Sequence, residues 1–370
     1  MQVPLQLPLG PRVRASPYWD ATVAAGLTAA SVYNHMYMPV SYGDSMAEYW
    51  RLIDGVAMWD VAVQRQVEIS GPDAAQLAQL VSARDLSTSK VGQGRYAPMC
   101  DYDGRLLNDP IALRVDKDRY WFSIADNDMV LWCQAIGRER GLDIHVHEPD
   151  VSPLAVQGPK AEDVVASLLG DWVRDIKFFW YAPAEINGIP LQVGRAGWSK
   201  QGGFELYLLD GSRGTELWNL VAEAGAPWDI GPGCPNYYER VESALLSYRA
   251  DTDDETTPLE VGLGRYTSLD SDVDFIGKAA LLAQREAGIT RELVGLFIDG
   301  DDLGINARPW PAQVDGVDVG LVRVTAHSPR LKRNIALAML DVPANAPGTE
   351  VTIVTPTGPR AATVTTIPFL

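Results

Sequence analysis

Histidine and cysteine are scarce in this chain of 370 residues, with four of the first and three of the second. Cys100, Cys133 and Cys234 lie far apart with no CxxC pair, which argues against a disulfide framework and against a cysteine-built metal site. Positive charge is also short: 31 Lys and Arg stand against 48 Asp and Glu, a net charge of −17. A mean field of that sign repels phosphate backbones and anionic lipid, so neither nucleic acid nor a membrane surface is an expected partner. No run approaches the roughly 18 to 20 apolar residues of a membrane-spanning helix. Met1 to Arg14 carries prolines and charges and no uninterrupted apolar stretch of a secretion signal. The expectation is a soluble, cytoplasmic protein. What the chain does hold is a hydrophobic fraction of 46%, enough for a sizeable core in two or three domains.

One pattern occurs twice, as Val67-Glu68-Ile69-Ser70-Gly71-Pro72-Asp73-Ala74 and as Leu154-Ala155-Val156-Gln157-Gly158-Pro159-Lys160-Ala161. Each reads as strand, glycine turn and helix, with proline suited to the first helical position. Apolar residues follow at helical spacing, Leu77, Leu80 and Val81 in the first copy and Val164, Val165 and Leu168 in the second. A duplicated α+β unit is the expected architecture. Alternation over Ile111–Val115 and Tyr120–Ile124, broken by Asp116-Lys117-Asp118, predicts a hairpin. Asn187-Gly188 predicts another, because that pair favours the positive φ values of a type I′ turn. A strand over 204–208, a helix over about 215–224 and a helical linker near 277–288 follow. Beyond the linker, short strands and Asp315-Gly316 and Thr357-Gly358-Pro359 turns predict a separate all-β domain.

Generic motifs give little. Gly262-Leu263-Gly264 lacks the third glycine of a dinucleotide fingerprint, and Gly197-Trp198-Ser199-Lys200-Gln201 has glutamine where a nucleophile elbow needs glycine. His145-Val146-His147 could present two imidazoles to a metal, but a solvated strand edge explains it without one, and no metal is expected. Two stretches are unusual for plain core. Gly197 to Tyr207 combines glycines, which let a ligand approach the backbone, with aromatic, cationic and anionic side chains. Alternation over 204–208 sends Glu205 and Tyr207 to one face and Phe204, Leu206 and Leu208 to the other. Asp109 precedes a strand, where it either caps a turn or points at a substrate.

These stretches resemble the glycine-cleavage T-protein family of tetrahydrofolate-dependent aminomethyltransferases over almost the full length. Gly197-Trp198-Ser199-Lys200-Gln201-Gly202-Gly203-Phe204-Glu205 is similar to that family's GYTGEDGFE-type stretch, and Gly104 to Asp109 to its GGxxDD-type stretch. Arg240-Val241-Glu242, Thr257-Pro258-Leu259-Glu260 and Asp274-Phe275-Ile276-Gly277-Lys278 match further on. Within the family, Ser199-Lys200-Gln201-Gly202-Gly203, Tyr33-Asn34-His35-Met36 and Gly233-Cys234-Pro235-Asn236 resemble its dimethylsulfoniopropionate demethylase branch.

The resemblance implies a three-domain cloverleaf: two related α+β folate-binding parts, 1–150 and 151–283, and a C-terminal β-barrel, 284–370. The implied reaction moves a methyl group from dimethylsulfoniopropionate to N5 of tetrahydrofolate. A sulfonium is already an activated leaving group, so the protein needs mainly to align donor and acceptor in a dry site. Glu205 would then hydrogen-bond the pterin, with Tyr96 and Phe178 in its pocket. Arg240 would reach the folate tail or brace Glu242. Asp109 would act catalytically near N5. Trp198 and Tyr207 would face the sulfonium by cation–π attraction, and Lys200 and, less centrally, Ser123 would bind the donor's carboxylate end. The expected partners are tetrahydrofolate and a small methyl donor, and the resemblance allows a homodimer. The alternatives are a demethylase of an aryl methyl ether, methylamine or betaine, and a folate-binding module without turnover.

Overall fold

The computed structural model describes residues 10–370, so residues 1–9, and with them most of the segment read for a secretion signal, lie outside the described residues. Two antiparallel-built sheets, of five and six strands, carry the duplicated pattern, and a closed six-stranded barrel follows. In the first copy Gln66–Ser70 leads through Gly71 to the helix Ala74–Leu80; in the second, Ser152–Gln157 leads through Gly158 to the helix Ala161–Leu169. Both glycines hold φ +121°, and in each copy the amide three residues on donates back to the glycine carbonyl, Ala74 to Gly71 at 3.1 Å and Ala161 to Gly158 at 3.0 Å. The prolines therefore sit inside this turn, two residues ahead of the helix, rather than at its first position.

The sheets repeat one order. Gly94–Tyr96, Ile111–Asp116, Arg119–Ser123, Gln66–Ser70 and His145–His147 lie side by side in the first; Tyr181–Ile186, Ile189–Gly194, Gly203–Leu208, Ser152–Gln157 and Ala57–Asp60 do so in the second, all antiparallel. The fifth strand is exchanged. Ala57–Asp60 precedes the first pattern strand in sequence but pairs with the second, whereas His145–His147 precedes the second and pairs with the first. Gly231–Gly233 adds a parallel sixth strand beside Ala57–Asp60. Cutting the chain at residue 150 would thus separate strands that share one sheet. The core beneath the six-stranded sheet likewise joins Tyr18, Met36, Val56 and Met58 from early in the chain to Leu154, Val165, Phe204, Leu206 and Leu217. A second core underlies the other sheet, built on Val67, Ile69, Leu77, Phe122 and Cys133.

Both expected hairpins form, Asn187 and Gly188 taking φ +50° and +73°. The helix Gly214–Gly225 turns Leu217, Trp218 and Val221 inward, and Lys278–Ala287 connects to the barrel. That barrel closes through Arg291–Ile298, Arg333–Asp341, Val317–Ser328, Trp310–Val314, Glu350–Thr355 and Gly358–Thr365. Among the described residues no helix is long and apolar enough to cross a membrane.

Candidate active site

The strand Gly203–Leu208 runs through the middle of its sheet, paired along both edges, and both its faces are covered. Phe204, Leu206 and Leu208 enter the hydrophobic core, and alternation turns Glu205 and Tyr207 the other way. There the face meets the other sheet: Tyr207 and Tyr181 pack with Trp121 and Leu113 of the five-stranded one. The Tyr207 ring stacks on Trp121 with centroids 6.4 Å apart and meets Tyr181 edge-on at 5.7 Å. Its hydroxyl donates to Glu205 Oε2 at 2.9 Å. Glu205 is buried, and burial pushes its carboxyl up to about 7 against the opposing effect of the Tyr207 bond. By register, Trp121 and Ser123 occupy in the first sheet the places of Glu205 and Tyr207 in the second.

Asp109 lies between Leu106–Asn108 and Ile111–Asp116. Tyr96, paired with Ile111 on the neighbouring strand, donates its hydroxyl to Asp109 Oδ2 at 2.7 Å. Burial again raises the carboxyl to about 7, opposed by the Tyr96 bond and assisted by the charge of Asp251. The Tyr96 ring is fixed edge-on to Tyr266 at 4.8 Å. Arg240 is buried, and its Nη1 meets both oxygens of Asp251, at 2.8 and 3.0 Å. Of the two roles the resemblance implied for Arg240, the brace to Glu242 is not made among the described residues. Glu242 is held instead by Tyr49 at 2.8 Å, Ser328 at 2.5 Å and Arg330 at 2.5 Å.

The loop between Gly197 and Gly203 wraps the Gln157 side chain. A Cβ at Gly197 would stand 2.0 Å from Gln157 Nε2, and one at Gly203 2.4 Å from it, so both positions need glycine. Ser199 Oγ donates to Gln157 Oε1 at 2.8 Å, and Gln157 Nε2 donates to the Ala196 carbonyl at 3.1 Å. From the helix Tyr237–Glu242, Glu239 Oε1 accepts the Lys200 amide at 3.0 Å and Gln201 Nε2 at 3.2 Å. Beside this loop lie a cavity of about 110 Å³, lined by Gln157, Phe178, Gly197 and Ser199 among others, and one of about 290 Å³ reaching Gly158, Glu162 and Gln201.

The structure thus joins Tyr96 with Asp109, and Tyr207 with Glu205, while Arg240 is tied to Asp251. Asp109 and Glu205 line neither of those two cavities. Phe178 is exposed at the rim of the smaller cavity, stacked on Phe179 with centroids 4.2 Å apart. Trp198 is half-buried, and Lys200 is exposed and in no ion pair among the described residues. Ser123 Oγ accepts from Gln66 Nε2 at 3.0 Å. Sequence reading missed Tyr181, Trp121, Glu239 and Asp251. Only Gly94 and Gly194, which flank the Tyr181 ring, could have signalled any of them, since glycines within strands often mark a close approach.

Glu205 is in no ion pair among the described residues, and one phenol is its registered proton donor. Such a carboxylate keeps acceptor capacity for the N–H groups of a pterin, so the residues present fit a bound folate. The sequence profile of the GCVT N-terminal domain matches residues 18–271, and that of the glycine cleavage T-protein C-terminal barrel domain matches residues 291–370. The chain belongs to the glycine cleavage T-protein family. It is 44% identical over 353 residues to a dimethylsulfoniopropionate demethylase of Ruegeria pomeroyi, covering 95% of this chain and 96% of that protein. It is 34% identical over 344 residues to an aminomethyltransferase of Symbiobacterium thermophilum, covering 90% and 91%. The T-protein fold is shared with the crystal structure of the glycine cleavage system aminomethyltransferase T from Bartonella henselae, with TM-score 0.86, 21% identity and coverage of 97% and 98%. The T-protein barrel domain begins where this chain's barrel strands begin.

Proposed function

We propose that this T-protein family member is a tetrahydrofolate-dependent demethylase that takes a methyl group from dimethylsulfoniopropionate. The observation that carries the reading is the 44% identity, over nearly both full chains, to a protein of that name. The pair of uncompensated carboxylates, Asp109 and Glu205, supports the folate half of it. Tetrahydrofolate supplies the nucleophilic N5 when bound. The methyl–sulfur bond breaks as the methyl–nitrogen bond forms, leaving methylmercaptopropionate, and the N5 proton departs.

Glu205 accepts hydrogen bonds from the pterin and fixes its orientation, and the Tyr96 phenol holds Asp109 toward the reacting nitrogen. Asp109, with its pKa near neutrality, stabilises the positive charge that develops there and can receive the proton. Trp198 and Tyr207 offer π faces to the sulfonium, Lys200 and Ser123 take its carboxylate end, and Phe178 closes the rim. Arg240, held by Asp251 and with its guanidinium over the Tyr237 ring, reaches toward the folate tail. The division along the chain into 1–150, 151–283 and 284–370, with Ala57–Asp60 and His145–His147 exchanged between the first two parts, a cytoplasmic setting, independence from nucleic acid, and compatibility with a homodimer are parts of the same proposal. Its test is a donor panel of dimethylsulfoniopropionate, glycine betaine, a methylamine and an aryl methyl ether, each with tetrahydrofolate. Product from the sulfonium alone supports the reading; product only from another donor, or folate binding without any turnover, rejects it.

A further inference from the structure

Glu239 is fully buried and in no ion pair among the described residues, whereas Arg240 and Glu242 beside it pair with Asp251 and Arg330. Its amide donates to Asn236 Oδ1 at 3.1 Å, at the start of the helix Tyr237–Glu242. From that place a glutamate often bonds back to the cap amide and closes a capping box. This one reaches across to another segment instead. Three donors converge on its Oε1: the Lys200 amide at 3.0 Å, Gln201 Nε2 at 3.2 Å and Ser243 Oγ at 2.8 Å. Its Oε2 is buried without a partner.

A buried carboxylate with one oxygen unpaired is a cost to the fold. What that cost secures is a loop. On the loop's other side Ser199 Oγ donates to Gln157 Oε1 at 2.8 Å and accepts the Gln201 amide at 3.3 Å. The Ser199-Lys200-Gln201 turn is thus gripped from both sides, and the backbone of Lys200 is fixed between them. The grip also selects the residue at 201. A glutamate there would put a second carboxylate where the Gln201 amide group now stands, 3.2 Å from Glu239 Oε1, and like charges that close repel. The T-protein stretch compared above has glutamate at this place, the fifth of its nine residues, whereas this chain has Gln201.

We propose that Glu239 is a positioning residue for the methyl donor: its carboxylate clamps the turn that carries Trp198 and Lys200, and glutamine rather than glutamate at 201 allows it to do so. The donor contacts of Trp198 and Lys200 rest on the function proposed above; the clamp itself does not. A turn fixed in advance spares the donor the cost of ordering it, so the clamp acts on donor binding. Asp109 and Glu205, assigned to the folate, lie on other segments and are left as they are.

The full-length protein tests this in two readouts: amide hydrogen exchange over residues 197–203 by mass spectrometry, and kinetics with dimethylsulfoniopropionate at saturating tetrahydrofolate. Gln201→Glu should speed exchange in that segment and raise the donor KM about 10-fold, with kcat and the tetrahydrofolate Kd within about 2-fold of wild type. Adding Glu239→Gln should reverse both effects, because carboxamide and carboxylate have then changed places. Glu239→Ala should loosen the segment and raise the KM in the same way. If that chain does not fold, Gln201→Glu and the double variant decide. Wild-type exchange in Gln201→Glu, or a loss that Glu239→Gln fails to reverse, overturns the clamp. A loosened turn with an unchanged donor KM overturns its role toward the donor. A glutamate that serves only its helix would lower the Tm when replaced and show no such reversal. Wild type inert toward dimethylsulfoniopropionate rejects the demethylase reading, while exchange still decides the clamp.

Discussion

Asp109 and Glu205 share an environment that raises a carboxyl, and neither has a cation paired to it among the described residues. If both must be charged, one to receive positive charge and the other to accept pterin donors, methyl transfer should rise with pH through about 7 and level off above it. A pH–rate profile of kcat and kcat/KM checks this, and a flat profile between pH 6 and 8 would contradict it. The same shifts bear on stability. Both groups titrate near 7 when folded and near their ordinary 3.8 and 4.5 when unfolded. Between those values the folded chain binds more protons, so their contribution to stability is present below pH 4 and is lost as pH rises through 7. Asp109→Asn should accordingly raise the Tm at pH 8 by about 2–5 °C while slowing methyl transfer by about 100-fold or more. Calorimetry beside single-turnover kinetics reads both, and a variant less stable than wild type would show that Asp109 serves the fold. Lys200 and Phe178 illustrate the opposite condition: both are exposed, so their assigned contacts depend on a ligand rather than on a neighbour in the chain.

Strands and turns of the duplicated unit were legible because they obey local rules. Gly71 and Gly158 announce themselves before proline, Asn187-Gly188 forms the turn its φ preferences require, and the period-two pattern over 204–208 assigned Glu205 and Leu206 to opposite faces. The exchange of Ala57–Asp60 and His145–His147 between the sheets was not legible, since each strand has the pattern to pair with either copy. Arg240 shows the same boundary for the site. Its partner is Asp251, eleven residues on, reached through a loop in which Arg249 takes φ +66°. The family resemblance offered the folate tail or Glu242 instead. Tyr181 was invisible because its slot requires glycines from two sheets at once. Gly158 offers a direct check on the turn. A Cβ there would stand 2.5 Å from the Gly55 carbonyl oxygen, at φ +121°, and Gly158→Ala should cost about 3 kcal/mol. Urea unfolding measures that, and a loss under about 0.5 kcal/mol would mean the turn relaxes freely.

Barrel and sheets are pinned together at a few polar points. Glu242 is fully buried and gathers Tyr49 from the helix Ser45–Asp54 with Ser328 and Arg330 from the barrel side. Arg323, on a barrel strand, donates to the carbonyls of Arg249, Ala250 and Thr252, in the loop that carries Asp251. Arg291 pairs with Asp253 at 3.0 Å in the same stretch. The barrel therefore sets the position of Asp251, and through it Arg240. Arg330→Ala would leave the Glu242 carboxylate buried without its cation and should destabilise the chain by about 2–4 kcal/mol. Thermal unfolding at pH 7 reads this; an unchanged Tm would show that Tyr49 and Ser328 suffice. At the level of the whole catalyst, the direct measurement is anaerobic turnover with dimethylsulfoniopropionate carrying deuterated S-methyl groups. The proposed reaction delivers one intact CD₃ group to tetrahydrofolate for each methylmercaptopropionate formed. Folate that stays unlabelled while the enzyme is shown to bind it would contradict the methyl-transfer account.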